Sequence, residues 1–114
     1  MLTLSDDIRF ESPCKINLKA YKAEFRGIFK LLPEDQVDAL LKQNLEAKVF
    51  ARHVLVDWVF GDVKNAADEP LTFSPEALEQ LLNRPGVPMA IFKGFMDGYT
   101  PATEGNSDAP SAGS

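Results

Sequence analysis

Apolar and polar residues alternate between positions 16 and 32, and this pattern constrains the fold more than any other feature. Every second residue is expected to face the core, including Phe25, Phe29 and Leu31. Because side chains alternate between the two faces of a strand, a period of two is typical of a half-buried β-strand. No Asn-Gly type turn interrupts the segment. We therefore predict one long bent strand, bulged near Gly27, rather than a tight hairpin.

Helical spacing replaces the alternation after Pro33. This proline precedes two acidic residues, and it suits the first position of a helix because its missing N–H would be unpaired there. The clearest signal is Ser74-Pro75, since serine accepts a hydrogen bond from the first turn and proline again fits the first helical position. We predict an extended segment at 56–63 and four helices, which begin near residues 33, 45, 75 and 87.

The two ends of the chain have irregular, polar sequences. Residues 1–14 include Ser12-Pro13 as a breaker, and we expect them to form at most a short strand near residues 8–11. Residues 100–114 contain no large apolar side chain, and such a composition cannot offset the entropy lost on ordering. The prediction is a single α+β domain at residues 1–99, in which a small antiparallel β-sheet packs with about four α-helices, and a disordered C-terminal tail.

Composition excludes several classes of protein. At 114 residues and 12.6 kDa the chain is long enough for one hydrophobic core. It has 12 basic and 17 acidic residues, and this net charge of −5 argues against nucleic acid as a partner, since phosphate binding requires a positive surface. The apolar runs are far shorter than the roughly twenty residues that span a bilayer, and the first ten residues lack the apolar region of a secretory signal. We expect a cytoplasmic protein without a membrane partner.

The charge is unevenly distributed along the chain. Residues 15–30 carry five basic residues and one acidic residue, whereas residues 57–79 carry six acidic residues and one basic residue. Solvated faces that partly neutralise each other are the usual explanation for such a distribution. The alternative is that the basic segment binds an acidic partner.

Few residues are available for chemistry. The chain has one cysteine and one histidine, Cys14 and His53, so a Cys–His nucleophile pair would need both. The alternative is a surface or half-buried thiol and a histidine at a helix end. Asp62 and Asp68 bracket a loop, but the residues between them lack the ligand spacing that an EF-hand requires for calcium. We predict no catalytic residue, no metal ligand and no cofactor.

Aromatic and methionine side chains provide the candidates for binding another polypeptide. Trp58, the one tryptophan, is expected to be a core residue, which is compatible with a contact to a partner at the edge of a groove. The stripe of Met and Phe residues along the last helix is either core or a partner-binding face, and methionine packs adaptably enough for the second role. Gly94 and Gly98 on the same helix are predicted points of close packing. The candidate partner-binding residues are Trp58, Phe60, Met89, Phe92, Phe95 and Met96.

Four short segments carry a resemblance to a known family. They are Phe29-Lys30-Leu31-Leu32-Pro33, Val56-Asp57-Trp58-Val59-Phe60-Gly61-Asp62-Val63, Glu69-Pro70-Leu71-Thr72-Phe73-Ser74-Pro75-Glu76-Ala77-Leu78-Glu79-Gln80-Leu81-Leu82 and Arg84-Pro85-Gly86-Val87. In this order and spacing they resemble the tail assembly chaperones of long-tailed phages and prophages. Those proteins pair a strand ending in a Phe-Lys-x-Leu-Pro-like step with a tryptophan segment, a Pro-Leu-x-Phe-Ser stretch and a final helix led by Pro-Gly-Val. The resemblance covers roughly residues 22–99.

The resemblance implies a non-enzymatic assembly factor. Such a factor binds the tape measure protein in the cytoplasm of the bacterial host, keeps its apolar stripes from aggregating and promotes assembly of the tail tube around it. The implied partners are the phage tape measure protein and the tail tube protein, and self-association is possible. The alternative is a small structural tail or tail-completion protein that is retained in the virion.

Overall fold

A computed structural model of the protein describes residues 8–100. Within this range 41% of the residues are helical and 26% are in strands, which confirms the α+β class. The sheet has three antiparallel strands in the order β1-β2-β3. In chain order the elements are β1 (Arg9–Asn17), β2 (Lys22–Lys30), α1 (Glu34–Lys42), α2 (Ala47–Val54), β3 (Leu55–Trp58), α3 (Pro75–Leu82) and α4 (Val87–Tyr99). The predicted tail lies outside the described residues, apart from Thr100.

A β-hairpin replaces the predicted long bent strand, so that prediction is wrong. Strands β1 and β2 are joined at Leu18 and Tyr21, whose backbone N–H groups each donate to the other's carbonyl, at 2.9 and 3.3 Å. Neither Lys19 nor Ala20 between them has a positive φ. The turn therefore does not need the Asn-Gly pair that a type I′ hairpin requires, and the sequence gives no turn signal.

Strand β1 is also longer than the short strand predicted near residues 8–11, because it continues through Pro13. Leu18 and Tyr21 form a hydrogen-bonded pair, so alternation leaves Pro13 and its partner Arg26 at a non-hydrogen-bonded position. The missing N–H of Pro13 would point away from β2. A proline there removes no bond from the sheet, which is how an edge strand tolerates it.

One face of the sheet and all four helices enclose a single cluster of buried side chains. Phe29 comes from the sheet, and each helix adds at least one fully or nearly enclosed residue. These are Val37 from α1, Phe50 from α2, Leu82 from α3 and Phe95 from α4. Such burial of large apolar side chains is the main source of stability for a domain of this size.

Helix α4 runs antiparallel to β1 and lies close against it at glycines. A Cβ atom on Gly94 would lie 3.0 Å from the carbonyl oxygen of Pro13. One on Gly98 would overlap the ring of Phe10, near the beginning of the same strand. A side chain at either position would crowd the strand, so the prediction of close packing at Gly94 and Gly98 is confirmed.

The helix starts follow local sequence signals. Ser74 caps α3 as predicted, since its Oγ accepts a hydrogen bond from the N–H of Ala77 at 3.0 Å. Helix α1 begins one residue later than predicted, because Pro33 has extended backbone angles and precedes the first helical residue.

The strand after α2 ends at Trp58, so the predicted extended segment at 56–63 is too long. Pairing between β2 and β3 is irregular between Ile28 and Phe29, next to the predicted bulge at Gly27.

Candidate functional site

The structure divides the six candidate partner-binding residues by exposure. Phe60 and Met89 are exposed, at 74% and 51%, whereas Trp58 and Phe95 are enclosed, at 3% and 0%. Phe92 and Met96 are half-buried against the core. The side chains of Trp58 and Phe95 are therefore core residues and do not present a binding surface, which corrects their place among the candidates.

Trp58 connects β3 to the segment that leads into α3. Its indole Nε1–H donates to the carbonyl of Leu71 at 2.8 Å. Its ring meets that of Phe73 edge-on, with centroids 4.9 Å apart and planes at 70°, an arrangement that aromatic pairs prefer. The apolar ring of Trp58 is thus buried within the domain, and its N–H is hydrogen-bonded there.

Phe95 lies at the centre of an aromatic cluster. Its ring centroid is 5.8 Å from that of Phe10, 5.9 Å from that of Phe29 and 5.5 Å from that of Phe50. Tyr99, one turn later on α4, stacks on it at 5.7 Å. This cluster joins α4 to the hairpin and to α2. Of the two alternatives for the stripe of Met and Phe residues on this helix, the core alternative is therefore correct for Phe95.

Phe60 occupies the tip of a tight turn directly after β3. The N–H of Asp62 donates to the carbonyl of Val59 at 3.0 Å, and Gly61 has a φ of 91°. A positive φ at the third residue of such a turn is typical of type II geometry, which favours glycine at that position. Phe60 is the second residue of the turn, where turn chemistry favours proline and gives no reason for a large aromatic side chain.

A charged clamp fixes this turn to the middle strand. The guanidinium of Arg26 donates through Nε and Nη2 to the two carboxylate oxygens of Asp62, each at 2.8 Å. The backbone N–H of Arg26 donates to the same carboxylate at 3.0 Å, and its carbonyl accepts from the N–H of Val59 at 3.0 Å. The hydrogen bonds from Arg26 lower the pKa of Asp62 to about 2. Phe60 is therefore held on a fixed turn while its side chain remains in solvent.

Cys14 is enclosed, which corrects the expectation of a surface or half-buried thiol. Because β1 continues through Pro13, Cys14 lies on the inner face of the sheet and is fully buried. Burial raises the pKa of its thiol to about 12, so the thiolate that a nucleophile requires is disfavoured at neutral pH. His53 is exposed and lies in the last turn of α2, as the helix-end alternative predicts. A Cys–His nucleophile pair has no support in this arrangement.

The acidic residues that bracket the loop after β3 both form ion pairs. Asp62 binds Arg26, and Asp68 lies 3.6 Å from the ammonium of Lys64. Across residues 8–100, no group of three or more His, Cys, Asp or Glu side chains is placed to hold a metal ion.

Two clefts lie beside the hairpin. The first, of about 430 Å³, lies between the hairpin end, the loop after β3 and α3. On its lining, the guanidinium of Arg84 lies 5.2 Å from the ring centroid of Tyr21, a cation–π contact. The second, of about 650 Å³, is lined by three lysines, Lys15, Lys22 and Lys93, and by two carboxylates, Glu24 and Asp97. Both clefts are open and of mixed polarity.

Comparisons with known protein families, with curated proteins and with solved structures find no match for this chain. None of the helices in the described range, residues 8–100, has both the length and the apolar character needed to cross a membrane.

Proposed function

We propose that the protein acts as a tail assembly chaperone of a long-tailed phage or prophage. In this role it binds and solubilises the tape measure protein in the bacterial cytoplasm and promotes assembly of the tail tube around it. The action is one of covering apolar surface, so it needs no catalytic residue and no cofactor.

The first support is that the second and third of the four resembling segments pack against each other. Trp58 from the second segment contacts Leu71 and Phe73 from the third, and Ser74 in the third caps α3. The fourth segment ends at Val87, the first residue of α4. Residues of these two segments thus hold the end of β3 against the start of α3.

The observation that carries a polypeptide-binding role is the exposure of Phe60. Full burial of a side chain of this size is worth roughly 1.5–3 kcal/mol, and the fold leaves most of this contribution unused. Aromatic residues are enriched at the cores of protein interfaces, and the fixed turn lowers the backbone entropy that would be lost when Phe60 binds a partner. A partner with an apolar surface would bury Phe60 without rearrangement of its turn.

Co-expression with the protein encoded directly downstream tests the proposal. We expect that a long, helical polypeptide, insoluble alone, remains in the supernatant after lysis and elutes with this protein in gel filtration. An unrelated acidic protein of the same size is the control. If the downstream polypeptide precipitates equally in both co-expressions, the proposed function is wrong.

The structural alternative differs in its fate after assembly. A chaperone leaves the particle, whereas a tail-completion protein remains in it. Mass spectrometry of purified virions, with infected-cell lysate as the positive control, distinguishes the two. Detection of this chain in particles at the level of a tail component would replace the chaperone proposal with the structural one.

A further inference from the structure

Basic side chains without ion-pair partners gather where the turn of the β1–β2 hairpin meets the connection between α3 and α4. We call this part of the surface the basic end. Among residues 8–100, none of its ionisable side chains takes part in an ion pair. These side chains, all of them exposed, are Lys15, Lys19, Lys22, Glu24, Arg84, Lys93 and Asp97.

Two contacts bring the helices to the turn of the hairpin. Gly86, which lies between α3 and α4, packs against it so closely that an added Cβ would lie 3.3 Å from Cδ1 of Leu18. Two residues earlier, the guanidinium of Arg84 lies 5.2 Å from the ring centroid of Tyr21. The three lysines that line the second cleft come from both strands of the hairpin and from α4. Charges from distant parts of the chain thus share one end of the domain.

The basic end contrasts with the rest of an acidic molecule. Its five basic and two acidic residues give it a charge of +3, whereas the rest of the chain has seven basic and fifteen acidic residues, a charge of −8. An uneven distribution of this kind attracts an acidic partner and orients it before contact. A partner with carboxylates would therefore approach this end of the domain first.

Two partly exposed apolar side chains lie at the turn, beside these charges. Leu18 and Tyr21 are 36% and 40% exposed, and their backbones form the last hydrogen-bonded pair of the hairpin. Side chains of directly opposed residues in an antiparallel pair lie on the same face of the sheet. Arg84 contacts the ring of Tyr21 and has no carboxylate partner among residues 8–100. An apolar side chain could pack on this pair while a neighbouring carboxylate binds Arg84.

We infer that the basic end is a docking surface for an acidic peptide segment of another protein. The segment carries carboxylates on both sides of a leucine or an aromatic residue. The carboxylates bind Arg84 and the lysines, and the apolar residue packs on Leu18 and Tyr21. This inference goes beyond the proposed function, because it concerns a surface other than Phe60 and applies to any partner with such a segment.

A peptide fits this surface better than a nucleic acid does. Glu24 and Asp97 line the same cleft as three of the basic residues, and they would repel an unbroken row of phosphates. A peptide can place uncharged residues opposite them. The charge of −8 on the rest of the chain would also repel a long polyanion, whereas a short acidic segment contacts the basic end alone.

Titration of the 15N-labelled full-length protein with synthetic peptides, at about 0.15 M salt, tests the inference. The first probe has three glutamates on each side of a central Leu-Phe pair. The second has lysines in place of the glutamates, and the third has serines in place of the Leu-Phe pair. We expect the first peptide to shift amide signals of residues 15–24 and 83–89. The other two should bind at least tenfold more weakly, because each lacks one of the two kinds of contact.

Charge reversal at the turn should weaken binding of the first peptide. We expect Lys19→Glu/Lys22→Glu to raise its Kd at least tenfold. The matched control is Lys30→Glu/Lys42→Glu, which changes the net charge equally at exposed positions outside the basic end. It should change the Kd less than twofold, because charges more than about 8 Å away are largely screened at this salt concentration. Phe60→Ser should have no effect either, which separates this surface from the anchor in the proposed function. Thermal melts verify that the variants fold.

Several results would overturn the inference. These are equal binding of the glutamate and lysine peptides, equal weakening by the two double variants, and shifts centred on residues 59–62. Tighter binding of a single-stranded oligonucleotide of equal charge at the same amides would assign the basic end to nucleic acid. Shifts of these amides with protein concentration alone would identify a second copy of the chain as the occupant. Shifts of residues 101–114 caused by Lys19→Glu/Lys22→Glu without peptide would identify the protein's own tail instead.

Discussion

The close approach of α4 to β1 makes Gly94→Ala a sensitive test of the packing. An added Cβ would lie 3.0 Å from the carbonyl oxygen of Pro13 and 3.1 Å from Sγ of Cys14. Both distances are shorter than ordinary van der Waals contact, and the first involves sheet backbone that cannot move alone. The substitution therefore forces α4 away from the strand.

Two opposing contributions set the magnitude. Replacing glycine by alanine within a helix gains about 1 kcal/mol of helix propensity. Overpacking a well-filled core costs about 1–3 kcal/mol. We expect a net loss of about 1 kcal/mol in the free energy of unfolding, which lowers the melting temperature by roughly 4–8 °C in a domain of this size.

Urea unfolding followed by the fluorescence of Trp58, which is buried, measures this loss. In a Cys14→Ala background the sulfur contact is absent, so Gly94→Ala should cost at least about 0.5 kcal/mol less, as expected for residues in contact. Asp97→Ala, at an exposed position of the same helix, is the control for propensity without packing. If Gly94→Ala stabilises the protein as Asp97→Ala does, the described packing of α4 on β1 is wrong. An equal cost with and without the sulfur would contradict the contact with Cys14.

Three further variants test the loop and the clamp. Trp58→Phe leaves the carbonyl of Leu71 without its donor and should lower the free energy of unfolding by about 1–3 kcal/mol, measured by urea unfolding followed by circular dichroism; an unchanged midpoint would show that the bond is unimportant. Ser74→Ala removes the cap of α3 and should cost about 1 kcal/mol, whereas Ser74→Asp should retain the melting temperature. Because the pKa of Asp62 is lowered from 3.8 to about 2, its ion pair with Arg26 stabilises the fold above pH 4, and this contribution is lost as the pH falls towards 2. Urea midpoints should therefore fall less steeply over this range in Asp62→Asn than in wild type, and parallel curves would contradict the described ion pair.

Local signals predicted the helices well because each helix start depends on a few neighbouring residues. Ser74 and Pro75 determine the beginning of α3 through a cap and a fixed φ, and both act within one turn. The hairpin was missed for the opposite reason. Its turn at Lys19 and Ala20 uses residues with no turn preference, and its register depends on pairing between distant parts of the chain. The interruption expected at Pro13 was wrong because only the sheet geometry shows which N–H groups lie outside the ladder.

The sequence indicated which types of residue could bind a partner, but it did not indicate which of them are exposed. Trp58 and Phe60 lie two residues apart in one aromatic segment, yet one is enclosed and the other projects into solvent. The turn from Val59 to Asp62, in which Gly61 has a positive φ, begins between these two residues. The ion pair that fixes this turn joins Asp62 to Arg26, which lies 36 residues earlier in the chain. No local pattern predicts such a contact.

The pairing of the first strand with the last helix has a consequence for synthesis of the protein. Translation produces β1 early, but the side chains that cover its inner face, such as Phe95, emerge from the ribosome only with α4. Until then Phe10 and its neighbours on the nascent chain lack their native cover. Native folding of this domain therefore finishes after α4 has left the exit tunnel, and until then the hairpin lacks part of its native core.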